Sequence, residues 1–156
     1  MSGVQGRVAA RYAAARTDAA LLSTALWVEE VTALAYAALD GVPFARRFAG
    51  HEREHAAALG TQLQALTVPV RRHARPRALD ALLPGLRDAD RRDALEMLAE
   101  LERAAIAGHQ VLGRRLQALG ALRTVAEVMG GAAQHLVVIR DALGREPLGE
   151  RYDTRP

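Results

Sequence analysis

Residues 49–59 read Ala-Gly-His-Glu-Arg-Glu-His-Ala-Ala-Ala-Leu. Glu52 and His55 stand three apart in this stretch, so on a helix they lie side by side. Followed outward, the 4,3-spaced series through them runs Phe44, Phe48, Glu52, His55, Leu59. Three other stretches carry the same kind of seam. They read Leu22, Leu26, Glu29, Ala33, Tyr36, then Leu95, Leu98, Glu102, Ala105, His109, Leu112, Leu116, and finally Val125, Val128, Ala132, His135, Ile139. Each seam is helical in period and holds a Glu or His where an apolar residue would be expected. No period-2 run accompanies them, so the chain reads as all-α. A buried, unpaired carboxylate is strongly unfavourable, and such groups are normally paired or metal-bound. Several converging on one core point to a metal site inside a helix bundle.

The seams set the expected organisation. A first helix is predicted over about 18–39, with Asp18 as its N-cap. Asp40-Gly41-Val42-Pro43 turns the chain, and a second helix runs over about 43–66. The third is predicted from Asp88 or Asp90 to about Leu119, ended by Gly120, and the fourth from about Leu122 to Leu143, ended by Gly144. Between the two pairs, about 67–87 holds Pro69, Pro76 and Pro84, with one helical turn expected at Leu79–Leu83. A helix of about 23 residues spans roughly 34 Å, which about ten extended residues can cover. The expected architecture is therefore two antiparallel hairpins joined by a long crossover. The tail, 145–156, reads as irregular.

Composition narrows the chemistry. At 156 residues the chain is expected to be one domain with a real core. It has no Cys, so a metal must be held by carboxylates and imidazoles, a donor set that suits iron, manganese or zinc. All 21 basic residues are Arg and none is Lys, a habit of GC-rich genomes. Net charge is a mild +3. The basic stretch RRHARPR at 71–77 lacks neighbouring aromatics that would stack bases, so it reads as a solvated linker and no nucleic-acid partner is expected. No apolar run is long enough to span a membrane. The N-terminal MSGVQGRVAARYAAAR lacks the apolar stretch of a signal peptide, so the chain as given is expected in the cytoplasm unless a signal was removed. Ala-rich faces suit pairing into a homodimer.

A weak internal repeat links the halves. Glu29 precedes Tyr36 by seven residues, as Glu102 precedes His109. Glu29 to His55 is 26 residues and Glu102 to His135 is 33, a difference of seven, or two helical turns. The pieces LWVEEVTALAY (26–36), AGHEREHAAAL (49–59), ELERAAIAGH (100–109) and GGAAQHLVVIR (130–140) together resemble the ferritin-like di-iron carboxylate superfamily, particularly its small bacterial domains. The resemblance covers roughly 21–143. It implies a ferritin-like four-helix bundle in which two helices give one Glu each and the other two give a Glu-x-x-His pair each. Glu29 then matches the first single Glu, Glu52 with His55 the first pair, Glu102 the second single Glu, and His135 the second His. The second pair's Glu position holds Ala132, and the second Tyr position holds His109, a candidate replacement ligand. Tyr36 is implied as a redox or hydrogen-bonding neighbour. The implied cofactor is iron, as one or two ions, and the implied chemistry is oxidation of ferrous iron by oxygen or peroxide. Three carboxylates leave a two-ion centre one positive charge in excess, so one ion is expected to bind better than two.

Two rival readings use the same residues. The bundle could serve as a non-enzymatic binding module, its polar core satisfied by hydrogen bonds and Glu29 paired with Arg46, Arg53 or Arg103. His51-Glu52-Arg53-Glu54-His55 also satisfies the H-E-x-x-H pattern of zinc hydrolases, in which both His bind one zinc. That pattern normally comes with a third spaced ligand and a substrate-positioning sheet, and neither is readable here.

Overall fold

The four seams become the four long helices. In a computed structural model, which describes residues 3–15, 17–70 and 74–147, the order is α1 (Gly3–Ala14), α2 (Asp18–Ala37), α3 (Ala45–Ala65), α4 (Pro76–Leu82), α5 (Arg91–Gly113) and α6 (Leu119–Ala142), with a 3-10 turn at Leu86–Asp88. Among the described residues there is no strand. Every seam residue is buried except Phe44 and His55, which are half-buried. The helices form because their 3.6-residue periodicity lets one face of each leave water together.

The helix ends differ from expectation in instructive ways. Thr17, not Asp18, caps α2, its hydroxyl accepting from Ala20 N at 3.2 Å. Asp18 is used elsewhere: its carboxylate accepts from the backbone N–H groups of Gln117 and Ala118 at 3.0 and 2.9 Å. Those bonds fix a break at 114–118, so α5 stops at Gly113 rather than Leu119, and Gly120 lies inside α6 instead of ending a helix. Arg115 strengthens the break by donating to the carbonyls of Tyr12 and Ala15. Asp90 caps α5 as expected, accepting from Asp93 N at 2.9 Å. Gly144 follows α6 at φ 72°, the left-handed conformation that ends helices.

α2 packs along α3 and α5, and α6 packs along α5 and α3. Residue pairings give the directions. Glu29 faces His109 while Tyr36 reaches Glu102, so α2 and α5 run oppositely. His51 meets His135 while His55 sits against Gly131, so α3 and α6 also run oppositely. The chain between α3 and α5 is less extended than expected, because it contains α4 and the 3-10 turn. α4 packs on α2, and Ala74 N donates to Glu30 Oε2 at 2.9 Å, which ties this segment along α2. Residues 71–73 of the basic stretch and 148–156 of the tail lie outside the described residues.

One helix was not foreseen. α1 packs on α5 through Val4, Val8, Tyr12 and Ala15, all buried. Tyr12 crosses α5 at Gly108, where a Cβ would stand 2.8 Å from Cδ2 of the ring and nearer still to Cε2. Only glycine admits that approach. Arg11 adds a cation–π contact, 3.7 Å from the centroid of Trp27.

Candidate metal centre

Helix phase brings the seam carboxylates and imidazoles to one place. Glu29, Glu52, Glu102, His109 and His135 are all buried, at 1–2 % exposure, and His55 sits beside them. Two sets of three ligand atoms lie within 4.8 Å of one another: Glu29 with Glu52 and His55, and Glu52 with Glu102 and His135. Glu52 belongs to both.

The contacts show how it is shared. His55 Nδ1 is 3.2 Å from Glu29 Oε2 and 3.2 Å from Glu52 Oε2. His135 Nδ1 is 2.7 Å from Glu52 Oε1 and 3.2 Å from Glu102 Oε1. Each oxygen of Glu52 therefore faces a different imidazole. Tyr36 OH donates to Glu102 Oε1, placing the phenol beside the second set. His109 Nδ1 lies 2.6 Å from the Ala105 carbonyl, and its Nε2 faces Glu29 Oε1 at 3.3 Å. Glu29 faces His55 and His109 rather than Arg46, Arg53 or Arg103.

Hydrogen bonding leaves this core incomplete. Glu29 Oε1, Glu52 Oε1, Glu102 Oε2, His109 Nε2 and Tyr12 OH are buried without a hydrogen-bond partner among the described residues. Some are close to an opposite number, such as Glu52 Oε1 to His135 Nδ1, but off the hydrogen-bond direction. Buried polar atoms are nearly always satisfied, so five in one core need an account.

The electrostatics follow from burial and crowding. Burial, then the charge of Glu52, pushes Glu29 well above the usual carboxylate range. Burial pushes Glu102 up to about 7, the charge of Glu52 adding and His135 opposing. Burial acts the same way on Glu52, but the proximity of Glu29, His135 and His55 outweighs it and holds Glu52 below its ordinary value. His135 rises to about 9, because Glu102 and Glu52 outweigh a burial effect that lowers it. Burial lowers His109. Burial raises Tyr36, with Glu102 adding, and raises Tyr12, with Glu29 adding. Ionisation is thus favoured at Glu52 over Glu29 and Glu102.

His51 and His55 do not face a common point. His51 Nδ1 is 3.1 Å from His135 Nε2, whereas His55 Nδ1 faces Glu29 and Glu52. The juxtaposition that an H-E-x-x-H zinc site needs is not formed.

Two residues at this centre were not read from the sequence. Gly131 is the floor under His55, since a Cβ there would stand 2.6 Å from its Nε2. Tyr12 brings α1 to the edge of the site, its ring centroid 6.4 Å from that of His109. The Val4, Val8, Tyr12 spacing was a readable signal for α1. Nothing in the sequence marks Gly131 apart from Gly130. Ala132 is buried one turn before His135.

A scan against protein-family models, and searches of the curated proteins and of the solved structures, found no match to this chain. Among the described residues no helix is long and apolar enough to cross a membrane.

Proposed function

We propose that this chain is a ferritin-like four-helix bundle, two antiparallel hairpins joined by a crossover, that holds a carboxylate–histidine metal centre and oxidises ferrous iron. The carrying observation is the pair of three-ligand sets that share Glu52. Two donors at about 2.1 Å from one ion stand roughly 3.0–3.4 Å apart. The separations of 3.2 Å around His55 and 3.2 Å between His135 and Glu102 match that spacing, whereas Glu52 Oε1 and His135 Nδ1, at 2.7 Å, stand closer than it. The other oxygen of each carboxylate, Glu29 Oε1, Glu52 Oε1 and Glu102 Oε2, has no hydrogen-bond partner among the described residues and is free to bind an ion as well.

Glu29, Glu52 and His55 would hold one ion, and Glu52, Glu102 and His135 a second. Oxygen and nitrogen donors without thiolate suit iron, with manganese and zinc as competitors. When bound, iron supplies the electron exchange with oxygen or peroxide. The protein's part is separate from that step. Glu52 offers one oxygen to each position. Tyr36 holds Glu102 by donating to its Oε1. The buried helices exclude bulk water from the carboxylates, which strengthens their attraction for cations.

Metal analysis of protein purified without chelator, followed by anaerobic ferrous titration and exposure to air, tests this. Tight ferrous binding followed by ferric absorbance is expected. A chain that binds no ion, yet folds normally, would refute it. That result would favour the second reading, a metal-free binding module. One observation favours that reading: His55 and His135 already hydrogen-bond the carboxylates without an ion.

A further inference from the structure

We infer that His51 is a positioning residue for the metal centre: its Nδ1 accepts the Nε2–H of His135 and so leaves the Nδ1 of His135 bare toward the ion position it shares with Glu52 and Glu102. This rests on the metal reading above, and it gives a task to the first histidine of the H-E-x-x-H stretch.

Ring geometry carries the inference. His51 Nδ1 is 3.1 Å from His135 Nε2. The ring centroids are 5.4 Å apart and the planes 18° from parallel. The centroids are thus farther apart than the nitrogens by about two ring radii. Rings whose faces overlap stand closer, as Phe48 does on His135 at 3.9 Å. His51 and His135 therefore meet edge to edge, nitrogen toward nitrogen, along the line that a ring N–H bond takes. Two bare nitrogens would repel in that position, so one hydrogen lies between them.

The opposite edge of His135 decides which ring owns that hydrogen. Its Nδ1 is 2.7 Å from Glu52 Oε1 and 3.2 Å from Glu102 Oε1, so Nδ1 is the nitrogen that faces the ion position. A nitrogen that binds an ion carries no hydrogen, and a neutral imidazole has one to place. It stands on Nε2, and His51 Nδ1 accepts it. Metal-binding histidines usually donate their second N–H to a carboxylate, a backbone carbonyl or water, which fixes the tautomer. Here an imidazole takes that place. A carboxylate there would add charge beside Glu52 and Glu102, and an imidazole fixes the tautomer without it. The other neighbours of His135 divide the work. Phe48, one turn before His51 on α3, lies on the face of the ring, and Tyr36 meets it at 82°. Those two set the plane of the ring, and the bond to His51 sets which nitrogen is bare.

Two measurements on zinc-loaded protein test this. Nitrogen NMR of protein labelled at its histidine nitrogens should show His135 with zinc on Nδ1 and a slowly exchanging hydrogen on Nε2. Calorimetric zinc titration of chelator-stripped protein should show His51→Leu weakened about tenfold to a hundredfold, at the same binding step that His135→Gln weakens. His51→Asn should recover most of that loss, because Asn Oδ1 is as many bonds from the backbone as His Nδ1 and accepts the same hydrogen. His51 is half-buried, so both variants are expected to fold, which thermal unfolding in chelator verifies. If His51→Leu does not fold, the NMR tautomer in wild type and His51→Asn decides the matter. Zinc on Nε2 of His135, wild-type affinity in His51→Leu, or a His51→Asn as weak as His51→Leu would overturn the inference while leaving a metal centre in place. No zinc binding by the wild type would overturn the proposed centre itself.

Discussion

Adding one methyl group at Gly131 should uncouple metal binding from folding. In Gly131→Ala the new Cβ would stand 2.6 Å from His55 Nε2, where ordinary contact begins near 3.4 Å. The ring must retreat by roughly 1 Å. That is about five times the ±0.2 Å tolerance of a metal–ligand bond, so His55 leaves the first set. The metal-free protein should be little affected. His55 is 19 % exposed at its side chain and can swing outward, and alanine gains about 1 kcal/mol of helix propensity over glycine. Loss of one imidazole should weaken the ion by about tenfold to a hundredfold. At an ion concentration of about 100 Kd, wild type gains about 2.7 kcal/mol, and a hundredfold weaker variant about 0.4 kcal/mol. The metal-induced rise in Tm should then shrink by about 5–9 °C for a chain of this size. Differential scanning calorimetry with and without zinc reads both quantities on one sample. A variant that keeps the full metal-induced rise would show that His55 does not hold the ion.

Three further outcomes follow from the same geometry. Ala132→Glu restores a carboxylate one turn before His135, so the second ion should bind more tightly and stoichiometry should move toward two per chain, while the metal-free protein loses about 1–3 kcal/mol to an extra buried carboxyl; unchanged metal content would show that this position does not face the centre. In the metal-free protein the folded-state pKa values of Glu102 and His135 are both raised, from 4.5 to about 7 and from 6.5 to about 9, so the fold holds extra protons. Their contribution is full below the unfolded values and is lost as pH rises through 7 and then 9, so chelator-treated protein should melt lower at pH 9 than at pH 6, and ion binding should tighten over the same range because it displaces those protons. A melting temperature that climbs from pH 6 to 9 would contradict this. Gly108→Ala puts a Cβ 2.8 Å from Tyr12 Cδ2, so α1 should detach or shift at a cost of about 1–3 kcal/mol, seen as faster proteolysis near the N-terminus; equal protection would show that the Tyr12 crossing is not needed.

Which residues line the core was legible from the chain alone. A 4,3 seam is a property of one helix, so Glu29, Glu52, Glu102, His109 and His135 declare their inward phase without reference to any partner. The same holds for the Asp90 cap and the Gly144 stop, which act within one turn of their own helix. What the seams could not say is how the helices are rotated and offset against each other. Two carboxylate oxygens about 2 Å apart were assigned to different imidazoles only by that offset, which gave Glu52 to both sets and turned His109 to Glu29. The early end of α5 had the same origin, since Asp18 and the Tyr12 and Ala15 carbonyls that Arg115 reaches hold the break at 114–118 from about a hundred residues away. α1 was readable in period but Ala-rich, and its burial depended on a gap at Gly108 that only a neighbouring ring defines. Periodicity is local and so was present in the sequence; the pairing of donor atoms is a long-range property, decided by packing.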